Sequence, residues 1–298
     1  MPETQDFDEL VRLIADRVSQ RLAPSCGGAS AERRSGGTGR CARECAPCPN
    51  RTEGSCGAQS AVSLGASRVA PEGHTRTSPD IARYIDHTLL KAEATREEIA
   101  KLCEEARTHG FATVCVNAAN VALAAQLLQG SSTIPIAVVG FPLGATLPNA
   151  KAFEAREAVR CGAREIDMVQ NIGALRSRDY RLVFEDIKAV VDACRAVPVK
   201  VILETSQLDA EQKIVACALA KAAGAAFVKT STGFSGGGAT AEDVALMRRV
   251  VGEDMGVKAS GGVRSLEDAQ KMIAAGADRI GASASVAIVS SQRSKAAS

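Results

Sequence analysis

The chain has 298 residues, 46% of them hydrophobic and 23% charged, and its 36 basic side chains nearly balance 34 acidic ones. A formal charge of +2, no Trp and two Tyr leave neither the electrostatic footprint nor the stacking rings expected of a nucleic-acid binder. No apolar run reaches the roughly 18 residues that cross a bilayer, and the acidic start MPETQDFDEL lacks the basic and apolar regions of a secretory signal. The expectation is a soluble cytoplasmic protein with no membrane or nucleic-acid partner.

Three textures follow one another along the chain. In residues 1–24, Phe7, Leu10, Val11, Ile14, Val18 and Leu22 recur at three- and four-residue steps, which predicts an amphipathic helix over 6–22. Asp6 followed by Glu9 suits a capping box, and Pro24 with Gly27 stops the helix. Residues 25–79 are rich in Gly, Ser, Ala, Arg and Pro and almost empty of large apolar side chains, so they read as a flexible linker. Cys26, Cys41, Cys45, Cys48 and Cys56 crowd into it. The C-x3-C-x2-C spacing of Cys41, Cys45 and Cys48 is shared by cluster-binding radical enzymes, but no strand precedes Cys41, and zinc knuckles come in pairs. Metal binding, redox cross-linking and an unstructured linker all remain open for this segment.

Residues 80–298 form the third texture. Short β-branched runs at 84–87, 113–116, 134–140, 165–169, 199–204, 226–230, 256–259 and 279–282 alternate with helical stretches such as 96–108, 150–161, 181–195 and 241–251. Eight strand–helix repeats in this length predict a (β/α)8 TIM barrel, α/β in class. A doubly wound sheet is the competing architecture, and the Gly-rich turn that often follows its first strand is missing.

A barrel of this kind carries its chemistry at the C-terminal ends of its strands. Asp86, Asp167, Lys229 and Lys258 fall at such ends. Each lysine taken alone could reach the rim and pair with a carboxylate. Two on adjacent strands, ~4.8 Å apart, instead disfavour double protonation and leave one amine neutral and nucleophilic. Asp167 lies inside the apolar run Glu165-Ile166-Asp167-Met168-Val169, where an acid either is satisfied structurally or moves protons for the lysines. Asp86 could equally cap the next segment, and Cys115 reads as a small buried hydrophobe. Gly233, the glycines at 236–238, Gly261, Gly262 and Gly281 cluster after the last three strands, where barrels commonly cradle a phosphate.

The strings Asp86-His87-Thr88-Leu89-Leu90-Lys91, Glu165-Ile166-Asp167-Met168-Val169, Phe227-Val228-Lys229-Thr230-Ser231-Thr232-Gly233-Phe234 and Val257-Lys258-Ala259-Ser260-Gly261-Gly262-Val263-Arg264 closely resemble the deoxyribose-phosphate aldolases, in the same order, over about residues 80–289. The resemblance implies a class I aldolase of deoxyribonucleotide breakdown. Such an enzyme cleaves 2-deoxy-D-ribose 5-phosphate to D-glyceraldehyde 3-phosphate and acetaldehyde without metal or organic cofactor. It implies Lys229 as the Schiff-base lysine, Lys258 as its perturbing and proton-relaying partner, and Asp167 as the proton donor and acceptor. Substrate contacts are implied for Asp86, Cys115, Lys200, Thr230, Gly233, Gly261, Gly262, Gly281 and Ser283, and a homo-oligomer, dimer or tetramer, for the assembly. Where family members often carry two adjacent serines, this chain reads Ser283-Ala284.

The first 24 residues and their linker resemble an encapsulation peptide that loads enzymes into bacterial microcompartments, with a shell protein as partner. Docking of the helix on the barrel itself or on a neighbouring subunit is the alternative. An idle barrel serving in compartment assembly is the alternative function; trapping of acetaldehyde on Lys229 separates it from an active aldolase.

Overall fold

In the computed structural model of the chain, the residues described are 80–297. The expected leader helix at 6–22, the linker at 25–79 and its five cysteines lie outside them.

Asp80 opens the described region by accepting a hydrogen bond from the Ala82 amide, capping a single 3-10 turn at Ile81–Tyr84. Strand and helix then alternate. They run β1 (Ile85–Leu89), α1 (Arg96–His109), β2 (Thr113–Val116), α2 (Val121–Leu127), β3 (Ile134–Val139), α3 (Pro148–Arg160) and β4 (Glu165–Val169). There follow α4 (Ile172–Arg176), α5 (Tyr180–Cys194), β5 (Val199–Ile202), α6 (Ala210–Ala222), β6 (Phe227–Lys229) and α7 (Ala241–Val251). The series closes with β7 (Gly256–Ser260), α8 (Leu266–Ala274), β8 (Arg279–Ala282) and α9 (Ser285–Ala297).

All eight strands are parallel and pair with their sequence neighbours, and β8 returns to β1, so the sheet closes into the expected barrel. Helix starts are written into the sequence. Thr95 with Glu98, Asp209 with Gln212 and Ser265 with Asp268 each form a reciprocal capping box at the head of α1, α6 and α8. The apolar faces of the helices meet outward-pointing Val, Ile and Ala of the strands in one continuous core. Inside the barrel, the alternation of side chains instead brings a column of charged residues together.

Several strand ends differ from the sequence expectation. Tyr84 belongs to the 3-10 turn, and Gly140, Leu203, Glu204, Ala226 and Thr230 lie outside the strands. The physical reason is clearest at Glu204, where the backbone enters the left-handed region at φ 60 and ψ 62 and turns the chain out of the sheet. No helix among the described residues is long and apolar enough to cross a membrane.

Candidate active site

Strand register sets the site. On the adjacent strands β6 and β7, Lys229 is the direct partner of Lys258, and Lys258 in turn is the partner of Arg279 on β8. On the facing side, Asp167 of β4 is the partner of Lys200 on β5. Side chains at these positions converge on the barrel axis. Lys229 Nζ lies 2.9 Å from Asp167 Oδ2, and Lys258 Nζ lies 2.7 Å from the same oxygen. The other carboxylate oxygen, Oδ1, accepts from Lys200 Nζ at 2.9 Å. One carboxylate therefore holds three ammonium-type groups.

The network continues downward. Lys258 also forms an ion pair with Asp86 Oδ2 at 2.5 Å. Lys200 forms one with Glu165 Oε2 at 2.5 Å. Arg279 closes the column, donating to both Asp86 and Glu165. This connected set holds four cationic side chains against three carboxylates, so full protonation leaves an excess positive charge in a largely buried setting.

The groups respond unequally. Burial pushes the Lys229 amine below its ordinary pKa; Asp167 opposes that shift and Lys258 adds to it. Burial also works against the charge on Lys258, but Asp167 and Asp86 outweigh it and hold that amine above the usual lysine value. Burial opposes the charge on Asp167, yet Lys200, Lys229 and Lys258 keep its carboxyl well below the normal carboxylate range. The network thus favours ionised Asp167, charged Lys258 and a Lys229 amine that sheds its proton more readily than Lys258 does.

Above this network opens a cavity of about 310 Å³. Lys229, only 3% exposed, forms part of its wall, and so connects the charged column to the space a ligand can enter. The rest of the wall comes from the C-terminal ends of β1, β7 and β8 and from the loops after β1, β6, β7 and β8. It includes Gly233, Gly261, Gly262, Gly281 and Ser283, with the cations Lys91 and Arg264 and no carboxylate among its described lining residues. Gly261 adopts φ +87, and a Cβ there would lie 3.0 Å from Gly238 Cα, so both conformation and space demand glycine. Helices α8 and α9 begin directly after the β7 and β8 loops, adding two positive helix ends on that side. The wall suits an anion.

The description "DeoC/LacD family aldolase" matches residues 81–291. The chain belongs to this family. It is 61% identical over 220 residues to the deoxyribose-phosphate aldolase of Halalkalibacterium halodurans, covering 73% of this chain and 98% of that protein. To the enzyme of the same name from Macrococcus caseolyticus it is 59% identical over 216 residues, 72% of this chain and 98% of that one. Among solved structures it resembles the tetrameric deoxyribose phosphate aldolase of Aeropyrum pernix. That match has a TM-score of 0.68 at 33% identity and covers 72% of this chain and 92% of that one.

Within this family frame, four residues expected at the substrate do not border the cavity. Lys200 is fully buried beneath Asp167 and spends its amine on Asp167 and Glu165. Asp86 is fully buried and neutralised by Lys258 and Arg279, so it neither caps a segment nor faces the opening. Thr230 exchanges hydrogen bonds with Ser260, donating to its carbonyl at 2.9 Å and accepting from its amide at 3.0 Å. Cys115 is buried against Leu90, Ile136 and Val138, and burial raises its pKa, keeping it a thiol. Gly281 lies within β8 itself, where a Cβ would approach Lys258 Cε at 3.1 Å.

Sequence reasoning gave no role to Glu165, Arg279 or Glu204. A charged residue at the first position of a strand, as Arg279 and Glu165 are, is the signal that could have found the first two.

Proposed function

We infer that this chain is a class I aldolase that reversibly cleaves 2-deoxy-D-ribose 5-phosphate to D-glyceraldehyde 3-phosphate and acetaldehyde. One observation carries the reading: a lysine with a lowered pKa, Lys229, is the ionisable group shared by a largely buried charge network and a cavity with no carboxylate among its described lining residues.

The chemistry follows from those positions. The neutral Lys229 amine adds to the aldehyde carbon of the open-chain sugar, and loss of water gives an iminium. The 3-hydroxyl gives up its proton, the bond between C2 and C3 breaks, and its electron pair flows into the iminium as an enamine. Glyceraldehyde 3-phosphate leaves. Protonation of the enamine carbon and addition of water release acetaldehyde and restore the amine. An iminium is a far better electron sink than a neutral carbonyl, which is why the step needs Lys229 rather than a general base alone. Asp167, ionised, accepts protons and fixes both amines; Lys258, charged, carries the proton that the relay returns. Gly233, Gly261, Gly262, Gly281 and Ser283 hold the phosphate away from the breaking bond, so remote binding energy orients the reacting end.

Incubation with acetaldehyde and borohydride followed by peptide mass mapping tests this directly. The expected product is a reduced ethyl adduct on Lys229, lost in Lys229→Met; an unmodified Lys229, or label elsewhere only, contradicts the assignment.

Two further elements belong to this proposal. A homo-oligomer is supported by the tetrameric state named for the Aeropyrum enzyme. The apolar stripe of Phe7, Leu10, Val11, Ile14, Val18 and Leu22 supports a targeting helix over 6–22 that packs on a microcompartment shell protein, placing the enzyme inside the compartment. Residues 1–24 fused to a fluorescent protein should form puncta in shell-producing cells, and diffuse fluorescence rejects the targeting role.

A further inference from the structure

The loop after β6 supplies Thr232, Gly233 and Phe234 to the cavity wall, beside Lys229. Its shape is not set by its own residues alone. Glu204, just beyond β5, is fully buried and does not border the cavity. It holds a left-handed backbone that non-glycine residues avoid. Backbone hydrogen bonds on either side fix it: the Leu203 amide donates to Lys229 O at 2.9 Å and the Thr205 amide to Thr230 O at 3.0 Å.

From this fixed base, its carboxylate accepts from the Thr232 amide at 3.3 Å, from the Thr232 hydroxyl, and from the Ser235 hydroxyl at 3.1 Å. Among the described residues, every hydrogen bond its carboxylate accepts comes from this one loop. The Thr232 hydroxyl has no proton to spare, since its proton goes to Glu204, and its oxygen accepts from the Phe234 amide at 3.1 Å. That hydroxyl is therefore no free donor for a ligand, and an anion at this wall must be met by the loop's backbone at Gly233. A carboxylate behind an anion site would repel the anion unless its charge were satisfied by the loop it holds.

We propose that Glu204 is a positioning residue for the phosphate side of the site, its buried carboxylate fixing residues 232–235 so that Gly233 receives the anionic group of the sugar. This rests on the reading of the cavity as a sugar-phosphate site. Removing the carboxylate loosens phosphate binding more than it relieves repulsion, and it leaves the amine chemistry at Lys229 in place.

The test compares 2-deoxyribose 5-phosphate with unphosphorylated 2-deoxyribose in the full-length parent, Glu204→Gln, Glu204→Gly and Ser235→Ala. Glu204→Gln turns one acceptor into a donor facing donors, whereas Glu204→Gly also removes the backbone strain, so a shared effect belongs to the carboxylate. The KM for the phosphorylated sugar should rise about tenfold in both Glu204 variants and about threefold in Ser235→Ala, with kcat within about twofold. For the unphosphorylated sugar, kcat/KM should stay within about twofold of the parent. Equal losses on both sugars, or no change on either, overturn the proposal; if the Glu204 variants fail to fold, Ser235→Ala decides by the same criterion. A parent without preference for the phosphorylated sugar overturns the sugar-phosphate reading and this proposal together. A parent with that preference, and variants that lose both sugars alike, overturns the positioning role alone.

Discussion

Lys229 and Lys258 share one carboxylate oxygen of Asp167, yet they differ in what else reaches them. Lys258 has Asp86 as a second counter-ion at 2.5 Å, whereas Lys229 has only Asp167 among the described residues and borders the cavity. A difference of each pKa unit corresponds to about 1.4 kcal/mol in the cost of carrying the proton. The second carboxylate thus decides which amine gives its proton up. The phosphate side offers an equally local test. Ala284, beside the cavity-lining Ser283 at the head of α9, offers no side-chain hydroxyl to the phosphate side. Ala284→Ser should lower the KM for the phosphorylated sugar by an amount equivalent to about 0.5–1.5 kcal/mol if the new hydroxyl bonds the phosphate. An unchanged KM contradicts that contact.

At the scale of elements, the loops after β6 and β7 act as one piece. The Ala239 amide donates to Gly261 O at 2.9 Å, and a Cβ at Gly238 would meet that same oxygen at 2.5 Å. Gly238→Ala must push the two loops apart. It should cost about 1–3 kcal/mol of stability and raise the KM for the phosphorylated sugar, read from a denaturant midpoint and steady-state kinetics; parent-like values in both contradict this packing. The strands themselves were legible, because β-branched runs between capped helices recur at regular spacing. Their ends were less so. Apolar character extends to Ala226 just before β6 and to Leu203 just after β5, where inter-strand backbone hydrogen bonds also continue, and a turn such as that at Glu204 depends on hydrogen bonds to Thr232 and Ser235, 28 and 31 residues away in the chain.

For the molecule as a whole, the barrel gathers at one point charges that are dispersed in sequence. Arg279 meets Asp86 across 193 positions and Glu165 across 114, and Lys258 meets Asp167 across 91. The paired lysines and Asp167 were legible because each interrupts a run of apolar strand residues, although only Lys229 ends its strand, while Asp167 and Lys258 lie at the middle of theirs. The structural part of Arg279 and Glu165 was not, since only closure of the barrel brings β8 against β1 and across to β4, and Lys200, implied as a substrate contact, turns out to support Asp167 from the neighbouring strand. That set also explains why the site is charged yet folded: every buried carboxylate of the column has a cationic neighbour, and the one excess positive charge is relieved by deprotonating Lys229. The measurement that bears most directly on this is the pH dependence of acetaldehyde condensation on Lys229, followed by reductive trapping and mass spectrometry. Only the neutral amine reacts, so the rate rises with pH and levels off above the pKa of Lys229. With that pKa lowered from the ordinary 10.5, the plateau should be reached at a lower pH than for a free lysine. Replacing Lys258 by Met removes the neighbouring cation and should move the midpoint upward. A parent midpoint at the ordinary lysine value, or one that Lys258→Met leaves in place, would contradict the account.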